Sequence, residues 1–266
     1  MSPLRALLLA AALSACGLVG EPSPEIRLQT VAPQPTARAP VPGSGAGVIV
    51  FTFDDALLSQ LDAARLLEDH GYRGTFYVAA GQLRSRYSYV SYASESEVRS
   101  LARRGHDVQS HTVTHTDLVT LTAEELDKEL RGAKAIIEGL SGKPAGHLAY
   151  PYGAHDDRVV AAVRGVYQTG RASSADHPRF WQEVLEAGDR FRLPALVVTA
   201  TTSLSQVERY VDLALQDDAR LILVFHNIRE NPAGYDWSPQ QLAALLAHVA
   251  RRDARVRTMS ELFASD

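Results

Sequence analysis

From Gly47 onward the chain alternates segments that read as strands with segments that read as helices, and no other feature limits its fold so tightly. Val48–Phe53 is a continuous apolar run of strand length. Leu57–His70 has helical periodicity and stops at Gly71, and Gly74–Val78 returns to strand character. The pattern continues with a helix at Ser94–Arg104, a strand at His106–Ser110, a helix from Thr122 to about Leu140, a strand at His147–Tyr150 and a helix at Asp156–Val163. Ser94 with Glu97, and Thr122 with Glu125, have the spacing of capping boxes. Further strands are expected at Tyr167–Ala172, Leu193–Thr199, Leu221–His226 and Val256–Met259, with helices at Ser205–Leu215 and Pro239–Arg251. Repeated βα units imply a parallel sheet covered by helices. Seven or eight of them in roughly 220 residues predict an α/β fold, a distorted (β/α) barrel. Chemistry in such barrels gathers at the C-terminal ends of the strands, and here those ends carry Asp54-Asp55, His111, Tyr152 and His226.

Before Gly47 the sequence has a different character. One positive charge, Arg5, precedes the apolar run Ala6–Leu13, which is too short to span a bilayer but suits the apolar part of a secretory signal. It ends in Leu13-Ser14-Ala15-Cys16, which resembles a bacterial lipoprotein box. Cys16, the only cysteine of the chain, would then be lipidated and become the mature N-terminus. That leaves no disulfide and no cysteine for catalysis. Residues 17–46 are rich in proline and lack apolar periodicity, as expected of an extended tether. The expected organisation is a leader at 1–16, a tether at 17–46 and one catalytic domain at 47–266, outside the cytoplasm and anchored to a membrane. A hydrophobic content of 45% suits one sizeable core. The formal net charge of −4 gives no electrostatic support for nucleic-acid binding.

The chemistry lies in two short stretches. His111 and His115, four apart, would share one face of a helical turn, so both imidazoles could reach one metal ion. Asp54 and Asp55 follow the apolar run Val48–Phe53 and can supply an oxygen ligand and a base. Each pair has a plain structural explanation when taken alone: an aspartate caps a helix, and two histidines are solvated at a helix start. Together they supply three protein ligands, an open metal position and a proton acceptor, the minimum for metal-assisted hydrolysis.

Four motifs occur in order: Thr52-Phe53-Asp54-Asp55, His111-Thr112-Val113-Thr114-His115, Tyr150-Pro151-Tyr152-Gly153 and Leu221-Ile222-Leu223-Val224-Phe225-His226. They resemble those of the polysaccharide deacetylases with a NodB-like domain, carbohydrate esterase family 4, over about Val48 to Leu262. The resemblance implies Asp54 as general base and Asp55, His111 and His115 as metal ligands. Zinc is the expected ion, and cobalt or nickel suits the same donors. By the same resemblance the Tyr152 amide helps hold the oxyanion, His226 is the general acid, and Ile222 and Val224 line a pocket for the acetyl methyl.

Two positions depart from the family pattern. The third motif usually begins with an arginine that pairs with the catalytic aspartate, and here Ala149 stands in its place. The fourth motif is blurred in Asp189-Arg190-Phe191-Arg192. Asp189 is a candidate partner for His226 and Arg192 a candidate for the lost positive charge, and both also read as an exposed charged loop. Loop aromatics Tyr87, Tyr89, Tyr92, Trp181 and Trp237 are candidates for stacking on sugar rings. The expected activity is removal of N-acetyl groups from an amino-sugar polymer: poly-N-acetylglucosamine, a chitin-like chain or peptidoglycan. O-deacetylation of a xylan on the same scaffold, and a non-catalytic glycan-binding lipoprotein, are the competing readings.

Overall fold

The computed structural model describes residues 47–86, 90–173 and 189–264. Expectations for the leader, for Cys16 and for the tether fall outside those residues, as do Tyr87, Tyr89 and Trp181.

Eight parallel strands form one sheet: β1 (Val48–Phe53), β2 (Thr75–Val78), β3 (Asp107–Ser110), β4 (His147–Ala149), β5 (Thr169–Arg171), β6 (Leu196–Val197), β7 (Arg220–Phe225) and β8 (Arg255–Val256). The order is β5-β4-β3-β2-β1-β7-β6, and β8 pairs with the start of β1. Strand β1 is buried throughout because it has neighbours on both sides and packing on both faces. Residues 190–197 then bridge the two edges. Leu193 bridges Arg171 of β5, and Leu196–Val197 pair with β7. The expected distorted barrel is present.

Seven helices flank the described sheet: α1 (Gln60–Asp69), α2 (Glu95–Arg103), α3 (Ala123–Ser141), α4 (Asp157–Arg164), α5 (Leu204–Gln216), α6 (Pro239–Arg251) and α7 (Met259–Leu262). Both expected capping boxes form, Ser94 with Glu97 and Thr122 with Glu125. Val256–Met259 is not a continuous strand. Thr258 caps α7 in a box with Glu261, so Met259 begins a helix. None of the helices among the described residues is long and apolar enough to cross a membrane.

Strand alternation separates two cores. Ile49, Phe51, Phe53, Phe76, Leu223 and Phe225 pack outward in the cluster beneath the helices. Val48, Val50, Tyr77, Ala149, Ile222 and Val224 fill the interior with Met259. At the N-terminal end of β3 the interior turns polar. Buried Asp107 accepts from Thr75 Oγ1 (3.1 Å), Gln109 Nε2 (2.7 Å) and the Ser260 amide (3.0 Å), which seats α7 under the barrel. The opposite end carries the functional groups.

Candidate active site

The interior alternation of the strands continues one residue past their ends and aims the key side chains together. Phe53 pairs with Phe225 in register, so Asp54 and His226 leave β1 and β7 side by side. Gln60, buried at the start of α1, ties these two exits. Its Nε2 donates to the carbonyl of Asp54 (2.5 Å) and to that of His226 (3.0 Å). Neither Asp54 nor Asp55 caps a helix, since α1 begins only at Gln60. Asp55 and Ala56 instead take left-handed conformations (φ 78° and 63°) that turn the chain sharply.

The histidine pair is not on a helical turn. Residues 111–117 form a loop in which Thr112 (φ 67°) and His115 (φ 61°) are left-handed. The loop nevertheless brings the rings together: their Nε2 atoms lie 3.2 Å apart. Asp55 Oδ1 is 3.5 Å from His111 Nε2 and 3.3 Å from His115 Nε2. Donor atoms bound at about 2.0–2.1 Å to one tetrahedral ion stand about 3.3 Å apart, so this triangle fits such an ion. His111 Nδ1 donates to the Ala149 carbonyl (2.9 Å), which leaves the Nε2 lone pair pointing into the triangle. Burial pushes the His111 imidazole down to about 3, which keeps it neutral and fit to bind a metal. Burial, with the Asp54 carboxylate beside it, pushes Asp55 up to about 6. Three convergent lone-pair atoms need a cation or a proton between them.

Asp54 has a buried cationic partner that the sequence reading missed. Arg171, the last residue of β5, forms an ion pair and hydrogen bond with Asp54 Oδ2. Burial alone would raise the Asp54 carboxyl; Arg171, His111 and His226 outweigh it and hold the group below the usual carboxylate range. Arg171 is the register neighbour of Ala149 on β4 and faces the same interior. The positive charge expected at 149 is therefore present one strand over.

Arg192 does not supply it. Arg192 reaches outward to Asp189 and to Asp157 of α4 (2.5 Å each), and Asp189 also meets Arg164 (3.5 Å). These residues make a surface ion-pair cluster, the alternative that the sequence left open. Asp189 makes no bond to His226, whose buried Nδ1 has no hydrogen-bond partner among the described residues.

Tyr152 is left-handed (φ 59°) and 70% exposed, and its ring meets the His115 ring edge-on at 4.7 Å. Tyr235, 64% exposed, lies against the His226 ring at 5.2 Å. Sequence offered no signal for Tyr235 beyond its place in a loop. Trp237 is a core residue instead of a sugar platform: it is 1% exposed, packs on Phe225 and donates from Nε1 to the Thr202 carbonyl (3.0 Å). Ile222 and Val224 face the barrel interior. The open cavity beside the triangle, about 280 Å³, is lined by Asp55, His115, Tyr152, Gln82, Tyr92 and Thr114, among others.

Residues 43–168 match the family model for polysaccharide deacetylases. Over that stretch, just under half of its length, the chain is similar to the carbohydrate esterases with NodB homology. It is 26% identical over 145 residues to a chitooligosaccharide deacetylase of Sinorhizobium fredii, covering 53% of this chain and 63% of that one. A polysaccharide deacetylase from Bacillus cereus superposes with a TM-score of 0.52 at 25% identity, over 61% of this chain and 50% of its own. A family 4 acetyl xylan esterase from Clostridium thermocellum, solved with a cobalt ion, shares the fold (TM-score 0.56, 17% identity, 81% and 90% of the chains). The chain spans less than two thirds of the length of the curated relatives it matches.

Proposed function

We propose that this protein is a divalent-metal-dependent hydrolase that removes N-acetyl groups from an amino-sugar polysaccharide, releasing acetate. The observation that carries the reading is the Asp55–His111–His115 triangle with the Asp54–Arg171 pair beside it. A divalent cation held by those three residues, zinc by the donor set and cobalt or nickel as substitutes, would polarise the acetyl carbonyl and acidify water.

The chain's own residues supply the rest. Asp54, kept ionised by Arg171, takes a proton from the attacking water as its oxygen adds to the carbonyl carbon. The Tyr152 amide donates to the oxyanion that develops. The C–N bond then breaks, and His226 gives a proton to the departing nitrogen. The products are acetate and a free amine. The family-model match and the chitooligosaccharide deacetylase relative support an amino-sugar polymer as substrate. The Ala6–Cys16 pattern supports an extracytoplasmic protein held at a bacterial membrane by lipid on Cys16.

Acetate release from N-acetylglucosamine oligomers tests the reading. Release is expected to vanish with chelator, to return with zinc or cobalt, and to fall at least ~10²-fold in Asp54→Asn. Chelator-insensitive release, or full activity in Asp54→Asn, would overturn it.

Structural kinship to the acetyl xylan esterase favours one second reading, O-deacetylation. The two differ in leaving group, because an alkoxide needs less help from an acid than an amine does. His226→Ala is expected to cost roughly 10²–10⁴-fold on an N-acetyl substrate and under tenfold on an aryl acetate. Equal losses on both substrates would remove His226 from the acid role.

A further inference from the structure

We propose that Glu129 of α3 is a positioning residue for the metal-ligand loop, setting the spacing of His111 and His115; the proposal rests on the metal reading above. The loop is costly on its own terms. Left-handed backbone is unfavourable for a residue with a Cβ, and the loop has two such residues, Thr112 and His115 itself. Such conformations persist only where the surroundings over-determine them.

The loop is held from two sides: the Ala80 and Gly81 amides and Gln82 Nε2 donate to the carbonyls of Thr112 (3.0 Å), Val113 (2.7 Å) and Thr114 (3.3 Å), and one side chain, Glu129, takes up its N–H groups. Glu129 Oε2 accepts from the amides of Val113 (2.8 Å) and Thr114 (2.9 Å), and Oε1 accepts from Thr114 Oγ1 (2.8 Å). The carboxylate is buried, and no lysine or arginine pairs with it among the described residues. The three groups that donate to it all come from the stretch between the two histidines. Hydroxyls complete the clamp: Thr112 Oγ1 accepts from the His115 amide (3.1 Å), and the Tyr167 hydroxyl lies 2.8 Å from Ser110 Oγ and 2.7 Å from the Leu130 carbonyl on the next residue of α3. Helix α3 thus holds the loop that a helical turn would otherwise have formed.

The test uses Glu129→Gln, Glu129→Ala and Thr114→Val. Zinc and cobalt affinities are read by competition with a chromophoric chelator. Exchange of the Val113 and Thr114 amides and the melting temperature are read on chelated protein. Glu129→Ala is expected to weaken metal binding about 10–100-fold, to speed exchange at 113 and 114, and to regain much of its activity at excess metal. Thr114→Val, which removes only the Oε1 contact, is expected to show a smaller loss of affinity. A lower melting temperature with unchanged metal affinity would make Glu129 merely structural and overturn the proposal. Should Glu129→Ala not fold, Glu129→Gln and Thr114→Val decide by the same affinity criterion. If the wild-type protein binds neither metal, the metal reading itself falls; if wild type binds and Glu129→Ala binds as tightly, only this proposal falls.

Discussion

Arg171→Met is expected to abolish most activity, by roughly 10²–10⁴-fold, and to destabilise the fold by about 3–5 kcal/mol. The physical reason is the burial of Asp54, which is only 4% exposed although it lies at the C-terminal end of β1, beside the open cavity. Without Arg171 the carboxyl must either stay charged with no cation to orient it or become protonated, and the protonated form cannot take a proton from water. A charge left unpaired after its partner is deleted costs far more than the intact pair contributes. The register of β4 against β5 provides a sharper second variant. Ala149 faces the same interior as Arg171 and stands directly opposite it, about 4.8 Å away across the ladder. Ala149→Arg combined with Arg171→Ala would return the charge to the strand where the family motif places it, at nearly constant side-chain volume. That double variant is expected to recover activity to within about tenfold of wild type, whereas Ala149→Arg alone would crowd two cations against one carboxylate. Acetate release and thermal melting of the three proteins would check this. An Arg171→Met enzyme with near-normal activity would remove the pair from the mechanism.

The second large effect concerns the three residues proposed to hold the metal, and two of them should separate binding from stability. Asp55→Asn and His111→Ala are both expected to lose stoichiometric metal and at least about 10³-fold in activity. Their chelated forms should move in opposite directions. His111 is buried, and its Nδ1 satisfies the Ala149 carbonyl, so His111→Ala leaves a cavity and an unpaired acceptor and should cost about 1–3 kcal/mol. Asp55 is raised to about 6 in the folded protein, from an ordinary value of 3.8. An acid raised on folding binds more protons in the folded state, so its charge counts against the fold above pH 6 and not below 3.8. Chelated Asp55→Asn should therefore melt at or above the wild-type temperature at pH 7.5. The difference should shrink as pH falls through about 6 toward 4. A chelated Asp55→Asn protein that melts well below wild type at pH 7.5 would show that Asp55 has a stabilising partner besides the metal.

Much of this was legible in the sequence, for identifiable reasons. Strand β1 and the capping boxes at Ser94 and Thr122 are local signals, and local signals survive folding. The histidine pair was expected to converge, and it does, but on a different backbone. Four-residue spacing suggests a helical turn, but Glu129, fourteen residues beyond His115, and Tyr167 bend the segment into a left-handed loop. Arg171 escaped for a related reason. Its relation to Ala149 exists only across the β4–β5 ladder, and a strand register is invisible until strands are paired. Arg192 was the nearer charge to the blurred fourth motif, but it lies on the outward side of its segment with Asp157 and Asp189 within reach. Trp237 looked like a loop aromatic because its neighbours are polar; the carbonyl of Thr202, remote in sequence, is what lets its indole be buried.

The buried Asp54–Arg171 pair also sets a limit on how this domain can be stabilised. Replacing an interior ion pair with apolar side chains of similar volume is often neutral or favourable to folding. An engineer or a lineage selected for thermal resistance alone would be drawn to that exchange at 54 and 171. The result would keep the tyrosines at the rim and the Asp55–His111–His115 triangle, and with them whatever binding the proposed function assigns to that rim. On the proposed mechanism it would no longer have a base. Along this route a deacetylase would drift into a durable binding protein by two substitutions, and the selection resisting the drift would act on turnover, not on folding.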